Sequence, residues 1–175
     1  MKILSRRFVV ISAASATLLA VLAGAGWAQT KKTEPPKPDF SGTWKLNIAK
    51  SSFTGMKPNV ETEVITQSED SLTLAMMSQN ETAILRYTVS ITIGSPAVGI
   101  DPGLFRSEDF MKVQDARAEW NGDALVVILN ASFKEDPVTI KSIYTLSPDG
   151  KKLTKVVNID RDAGPIDMTE VYEKS

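Results

Sequence analysis

The amino-acid sequence predicts an all-β fold, a single antiparallel up-and-down β-barrel of about eight to ten strands. Three observations support this prediction. Short runs rich in Val, Ile and Thr alternate apolar and polar residues with the period of two that is typical of strands. Turns of roughly two to five residues join nearly all of these runs and are too short for parallel crossovers. No segment shows a sustained helical period.

The number of strands favours a closed barrel over an open sheet. A long meander has two exposed edges, and closing the sheet removes them. A two-sheet sandwich is the alternative architecture. An outer-membrane barrel is not expected, because such a barrel needs a lipid-facing apolar band on every strand, and both faces of several strands here carry charge.

Turn residues separate nine predicted strands. Asn121-Gly122-Asp123 favours a hairpin turn, because Asn and Gly tolerate positive φ. Residues 94–109 hold two Pro and three Gly and predict a long loop, of the kind that serves as a lid or is mobile. One helical turn is expected near residues 48–53. The predicted strands are residues 42–47, 60–67, 72–78, 82–93 (with a bend, or as two short strands), 110–120, 125–132, 138–146, 153–159 and 166–173.

Residues 1–28 have the pattern of a signal peptide. Lys2, Arg6 and Arg7 precede an almost wholly apolar stretch at residues 8–23, and the small residues Gly26 and Ala28 occupy the two positions that a signal peptidase reads, which predicts cleavage after Ala28. A retained membrane anchor is the alternative, but the apolar stretch is short for a span. The paired arginines partly match a twin-arginine signal, but two arginines are also common in ordinary secretory signals, which are favoured here. We therefore expect a periplasmic or secreted protein with no membrane span after cleavage.

Composition excludes several kinds of function. Residues 29–39 are rich in Lys and Pro and predict a flexible tether, and the domain then spans residues 40–174. The chain has no Cys and no His, which removes disulfides, thiol catalysis and the commonest general base and metal ligand. Beyond residue 28 there are 17 basic and 21 acidic residues with interspersed signs, which argues against nucleic acid. We expect a monomer with no metal, no cofactor and no catalytic residues.

Several short motifs carry a family resemblance. Residues 40–46, Phe-Ser-Gly-Thr-Trp-Lys-Leu, resemble the first strand of the calycins (lipocalins and fatty-acid-binding proteins), whose G-x-W signature matches Gly42-Thr43-Trp44. Residues 169–174, Thr-Glu-Val-Tyr-Glu-Lys, resemble the closing strand of fatty-acid-binding proteins. Hairpins at 120–125 and 147–153 also resemble those of small exported lipocalin-like proteins of bacteria. The resemblance implies a lipocalin-like barrel over residues 40–174, with its first and last strands in contact.

The resemblance also implies where a ligand would bind. In fatty-acid-binding proteins an Arg and a Tyr of the closing strand hold the ligand carboxylate, whereas here Glu170 replaces that Arg and Tyr172 is kept. Two facing carboxylates repel unless one is protonated, so binding of a fatty acid by this pair is not expected. Glu170 would instead meet a cationic group of a ligand, or bond an inward Lys or Arg. Residues 48–58 are too short for the helical lid of that family, which leaves residues 94–109 as an alternative flap.

Alternation along the strands gives the remaining candidate residues. Trp44 is expected at the closed end of the barrel, under a basic residue of a late strand as in calycins, or as part of a ligand wall. Arg86 and Tyr87 point to opposite faces, so one of them is a candidate polar anchor. Small residues beside inward aromatics leave room for a ligand, unless the core is filled. The candidate ligand-binding set is Trp44, Arg86, Tyr87, Trp120, Tyr144, Glu170 and Tyr172.

Other polar motifs are interpreted as structural. Glu61 and Glu63 share a strand face and are expected to be solvated charges on the outer side of an edge strand. Residues 160–164 resemble part of a calcium loop but lack its last acidic ligand, so a hairpin turn is expected. No nucleophile and base have a favourable spacing.

Two functions from different classes remain open. The first is a non-catalytic exported protein that binds a small, partly hydrophobic molecule inside the barrel. The second is a protein-interaction module of the cell envelope, such as a protease-inhibitor-like barrel with a filled core. An enzyme is a third and weaker hypothesis, because it would need a cleft with convergent ionisable residues.

Overall fold

The computed structural model describes residues 35–54, 57–81, 84–95, 112–133 and 135–175. Its elements lie in the compact unit formed by residues 36–175. A short 3-10 helix, Ile48–Lys50, follows the first strand. The strands are β1 (Gly42–Leu46), β2 (Val60–Gln67), β3 (Ser71–Gln79), β4 (Ile84–Thr92), β5 (Lys112–Asn121), β6 (Ala124–Phe133), β7 (Asp136–Leu146), β8 (Lys152–Arg161) and β9 (Ile166–Lys174).

The sequence-based prediction of the fold is confirmed. All nine predicted strands are present with ends within two residues of the predicted ones, and the run at 82–93 forms the single strand β4. The predicted helical turn is the 3-10 helix. Residues 1–28, most of the tether and residues 96–109 of the predicted loop lie outside the described residues. No helix in the described part of the chain is long and apolar enough to cross a membrane.

The nine strands form one nearly closed antiparallel barrel. Their order around the sheet is β4-β3-β2-β1-β9-β8-β7-β6-β5, so the first and last strands are neighbours, as the resemblance implied. An odd number of alternating strands leaves the two ends of the sheet, β4 and β5, running in the same direction. They meet through one parallel bridge between Ile93 and Ala118. Because a tight turn cannot join parallel neighbours, this topology requires the long connection that the sequence shows between β4 and β5.

Aromatic side chains fill one end of the barrel, called the closed end below. Trp44 and Phe40 are fully buried there, and the Trp44 indole Nε1 donates a hydrogen bond of 2.8 Å to the Phe40 carbonyl. The Phe40 ring lies 6.0 Å from Trp120 and 6.4 Å from Tyr144, centroid to centroid. The ammonium of Lys174 lies 5.2 Å from the centre of the Trp44 ring. Trp44 therefore occupies the position expected of it, under a basic residue from the last strand.

The backbone conformation and close surroundings of Gly42 explain why the G-x-W motif begins with glycine. Its φ of +144° is a backbone conformation that side-chain-bearing residues rarely adopt. A Cβ at this position would also lie 2.7 Å from Cε of Lys174. Glycine thus allows β1 to bend and Lys174 to cross close to the backbone on its way to Trp44.

Candidate ligand-binding cavity

Beyond the aromatic closed end, the barrel is hollow. A cavity of about 400 Å³ lies between strands β2 to β4 and β6 to β9, a size within the usual range for small-molecule sites. At its rim are exposed residues from the strand ends, including Lys57, Asp136, Arg161 and Asp162, so the cavity opens to solvent. Its walls are mainly apolar and include Met76, Leu85, Leu129, Val138, Ile140, Val157, Ile159, Ile166 and Met168.

The floor of the cavity, next to the closed end, is charged. We call Glu61, Glu63, Lys155 and Glu170 the interior charge cluster; all four side chains are buried. Glu61 and Glu63 are two residues apart on β2, so strand alternation points both side chains to the same, inward face. Lys155 on β8 stands directly opposite Glu170 on β9. All members except Glu63 line the cavity, while Glu63 is paired across the strands with Trp44 at the closed end.

Lys155 holds two of the three carboxylates. Its ammonium lies 3.4 Å from Glu63 Oε2 and 3.3 Å from Glu170 Oε2. It also faces the rings of Tyr144 and Tyr172, at 5.6 and 5.8 Å from their centres. Burial opposes the charged form of Lys155, but its neighbours, Glu170 and Glu63 foremost, together raise the pKa of the ammonium well above its ordinary value. The lysine is therefore a fixed cation and a poor nucleophile.

Two buried tyrosines complete the bonding of the carboxylates. The Tyr144 hydroxyl donates a hydrogen bond of 2.8 Å to Glu63 Oε1. The Tyr172 hydroxyl contacts Glu61 Oε1 and also lies 2.9 Å from Glu170 Oε2. Burial raises the pKa of both phenols well above the ordinary value, and the neighbouring carboxylates add to this effect. Both tyrosines therefore stay neutral and act as hydrogen-bond donors.

The number of protons available for hydrogen bonds around Tyr172 distinguishes Glu61 from the other two glutamates of the cluster. The Tyr172 hydroxyl has one proton to share between two carboxyl groups. A proton on Glu61 satisfies both contacts, because Glu61 then donates to the phenol oxygen while Tyr172 donates to Glu170. Burial, with the nearby charge of Glu170, raises the pKa of Glu61 even though Lys155 and hydrogen bonds from Tyr172 and Ser78 lower it. Among the described residues, Glu61 is the member of the cluster with no ion pair to Lys155 within 4.0 Å.

Tyr87 presents a free hydroxyl to the cavity. Its side chain projects inward from β4, is nine-tenths buried and lines the cavity. Burial raises the pKa of Tyr87, and the surrounding charges that act on it are Lys155, Glu63, Glu61 and Glu170. In the part of the chain that the structure describes, its hydroxyl has no hydrogen-bond partner, and no buried polar atom is left without one. The hydroxyl is therefore exposed to the cavity space.

The structure separates the candidate residues into three groups. Tyr87 and Glu170 line the cavity, and Tyr172 bonds Glu170 just below it. Trp44, Trp120 and Tyr144 belong to the aromatic closed end. Arg86 is exposed on the outer face, so of the pair Arg86 and Tyr87 it is Tyr87 that can be the interior polar anchor. Of the two roles considered for Glu170, bonding an inward lysine is the one observed.

The prediction for Glu61 and Glu63 was wrong. They were expected to be solvated on an edge strand, but β2 pairs with β1 and β3 and both side chains point into the barrel. Lys155 was missed altogether. Its signal was the alternation of Leu153, Lys155 and Val157, in which the apolar neighbours mark the inward face. The ion pair between Lys155 on β8 and Glu63 on β2, two strands far apart in sequence, helps to keep these charged groups inside.

No metal site is formed by this arrangement. Within the described ranges, no three Asp, Glu, His or Cys side chains are placed to hold an ion. The three glutamates instead point at Lys155, Tyr144 and Tyr172.

Solved structures with the same fold support the architecture. The chain is similar to a protein described as "REP1-NXSQ fatty acid transporter", with 14% identity, a TM-score of 0.52, and coverage of 78% of this chain and 96% of that one. It is also similar to apo lipid binding protein 8 of Caenorhabditis elegans, with 14% identity, a TM-score of 0.50, and coverage of 78% and 95%. No protein-family model and no curated protein matches the chain. At these identities the likeness shows a lipocalin-like calycin fold.

Proposed function

We propose that this calycin barrel is a non-catalytic protein that carries a small, partly hydrophobic molecule in its interior cavity. The observation that carries the proposal is the solvent-connected cavity of about 400 Å³, which has apolar walls and a polar floor. That combination is typical of small-molecule sites, where apolar surface supplies affinity and a few polar groups fix the orientation. Two proteins of the same fold are named as a fatty acid transporter and a lipid binding protein.

The hollow interior favours this function over the interaction module. The interaction module predicts a barrel with a filled core, whereas the space between Met76, Tyr87 and Val157 is open. Side chains of a self-filled barrel would meet across this space at interior packing density.

Bound ligand is the direct test. Native mass spectrometry of the purified protein is expected to show an additional mass that disappears on denaturation, and a lipid and metabolite panel is expected to contain compounds that raise the melting temperature. Detection of the ligand-free mass alone, with no thermal shift across the panel, would contradict the proposal.

Neighbouring valines on β8 give a matched pair of variants. Val157 lines the cavity, whereas Val156 is 42% exposed on the outer face. The substitution Val157→Phe fills cavity volume and is expected to abolish the ligand-induced thermal shift, while Val156→Phe preserves it. Equal loss in both variants would show that the shift does not report on the cavity.

We also propose that the protein acts outside the cytoplasm, in the periplasm or as a secreted protein. The support is the basic, then apolar, then small-residue pattern of residues 1–28. Expression in a bacterial host is expected to yield a protein in the periplasm or medium whose first residue is Gln29. Retention in the cytoplasm, or an intact N-terminus after export, would argue against cleavage at Ala28.

A further inference from the structure

The polar floor of the cavity carries more negative than positive charge. Three carboxyl groups surround one ammonium, and that ammonium is already shared between Glu63 and Glu170. At the rim the signs are balanced, with Lys57 and Arg161 against Asp136 and Asp162. The rim therefore does not offset the charge of the floor, and an ionic group that reaches the floor meets an acidic environment.

From this geometry we infer that the ligand of the barrel carries a protonated amine on an apolar body, with the amine received by Glu61 and Tyr87 at the cavity floor. The inference rests on the proposed function, since it assigns a chemical class to the ligand of the same cavity. Glu61 and Tyr87 come from β2 and β4, and both line the cavity.

Glu61 supplies the charge that an ammonium group needs. Its carboxyl group faces the cavity and, within the described residues, has no ion pair with Lys155. The Tyr172 hydroxyl, which contacts it, can turn its single proton toward Glu170. An entering ammonium then donates to the Glu61 carboxylate.

Tyr87 supplies an independent reason to expect a polar ligand group here. Its side chain is nine-tenths buried, and its hydroxyl has no partner among the described residues and is open to the same cavity. The hydroxyl of a largely buried side chain is usually hydrogen-bonded. A neutral phenol oxygen accepts a hydrogen bond, and an ammonium group has three to donate. One donor to Glu61 and one to Tyr87 would fix the orientation of the amine.

An anionic ligand fits this floor poorly. A carboxylate would need a free cation, yet Lys155 already contacts Glu63 and Glu170. It would also add a fourth acidic group to three that are buried close together, and like charges at such sites disfavour ionisation. The charged end of the ligand is thus opposite in sign to that of a fatty acid.

Three ligands that differ only in their polar end test the inference. Octylamine, octanol and octanoate share one apolar chain, and their affinities for the purified protein are measured by isothermal titration calorimetry at pH 7.5, below their aggregation concentrations. Octylamine is expected to bind roughly tenfold or more tightly than octanoate, with octanol between them.

Variants at two glutamates locate the effect. Glu61→Gln removes the carboxyl group that would receive the amine, and Glu69→Gln removes a carboxyl group from an exposed position in the turn before β3. Glu61→Gln is expected to weaken octylamine binding by roughly tenfold while leaving octanol binding nearly unchanged. Glu69→Gln is expected to leave both affinities as they are. Tyr87→Phe is expected to weaken octylamine severalfold and to keep its preference over octanoate.

Two outcomes separate the failure of this inference from that of the proposed function. If octanoate binds more tightly than octylamine, or if Glu61→Gln and Glu69→Gln affect octylamine equally, the cavity binds ligands but the amine assignment is overturned. If none of the three compounds binds, and the lipid and metabolite panel also gives no shift, both proposals are overturned.

Discussion

Lys155 and Glu170 stand directly opposite each other on β8 and β9, and their charged groups lie 3.3 Å apart inside the barrel. The resemblance to fatty-acid-binding proteins placed an arginine where Glu170 stands. Here the acid is on the last strand and the base is on the strand before it. The Lys155 ammonium is therefore held in ion pairs inside the barrel. The glutamate carboxyl groups outnumber it, and the floor of the cavity is acidic.

Lys155 is expected to be essential for stability. The substitution Lys155→Met keeps most of the side-chain volume but leaves Glu63 and Glu170 buried without a cation. We expect the free energy of unfolding to fall by about 3–5 kcal/mol, the usual cost of breaking a buried pair by removing one partner. Urea unfolding measures the change, and Lys141→Met on the exposed face of β7 is the control.

The same variant offers a rescue test. If unpaired carboxylates cause the loss, adding Glu63→Gln and Glu170→Gln to Lys155→Met restores a substantial part of the stability, and the changes are strongly non-additive. A Lys155→Met protein as stable as Lys141→Met would contradict the assigned role of the ammonium.

The hydrogen bond from Tyr144 to Glu63 gives a second prediction. Both side chains are almost fully buried, and the bond of 2.8 Å satisfies a carboxylate oxygen that solvent does not reach. Tyr144→Phe retains the ring packing against Phe40 and removes the donor, so we expect a loss of about 1–3 kcal/mol in the free energy of unfolding. A double-mutant cycle with Glu63→Gln measures the coupling. Additive effects of the two substitutions would show that the bond contributes nothing.

Sequence patterns were sufficient to predict the strands but insufficient to predict the charged residues at the cavity floor. Alternation and turn residues located β1 to β9, because these signals are local and repeat along the chain. Alternation also placed Glu170 and Tyr172 on one inward face, and it put Arg86 and Tyr87 on opposite faces without deciding which of the two points inward.

Charge led to the wrong prediction for Glu61 and Glu63, since an isolated charged residue is normally solvated, and Lys155 was not predicted at all. Their burial depends on partners more than 90 residues apart, as in the pair Lys155 and Glu63. Local patterns do not contain that pairing. The parallel meeting of β4 and β5 likewise depends on the strand count of the whole sheet.

Gly42 is expected to be intolerant of substitution for a backbone reason. Gly42→Ala places a Cβ on a residue with φ of +144°, and we expect a loss of about 1–3 kcal/mol. The contact with Lys174 alone is relieved by moving a flexible side chain, at the cost of its position over Trp44. Thermal unfolding of Gly42→Ala, Lys174→Ala and the double variant separates the two effects.

If the backbone dominates, Lys174→Ala does not rescue Gly42→Ala. Gly122→Ala is the control, since that turn glycine has φ of +61° and open space around it, and should cost less. Full rescue by Lys174→Ala would assign the effect to the side-chain contact instead.

Glu61 gives the barrel a stability that depends on pH. Because burial raises the pKa of Glu61 above the ordinary value of 4.5, the folded state binds the Glu61 proton more tightly than the unfolded state. Its contribution is fully present below about pH 4.5 and is lost as the pH rises through the raised pKa of the folded state. Glu61→Gln mimics the protonated form and removes this loss. The groups that face Glu61 are Glu63 on β2, Ser78 on β3, Tyr87 on β4, Lys155 on β8, and Glu170 and Tyr172 on β9.

Because these neighbours also titrate, the informative quantity is the difference between Glu61→Gln and the wild-type protein. Urea unfolding from pH 4 to pH 8 is expected to show that the variant gains stability relative to the wild type as the pH rises, by about 1.4 kcal/mol for each unit by which the pKa is raised. The exposed substitution Glu69→Gln should give a nearly constant difference over the same range. The substitution that weakens amine binding would then also remove a destabilising effect of Glu61 that grows with pH, which is the relationship expected of a charge kept for a ligand. A difference that stays flat, or falls with pH, would mean that Glu61 is ionised in the empty protein and that no proton has to leave when a cation enters.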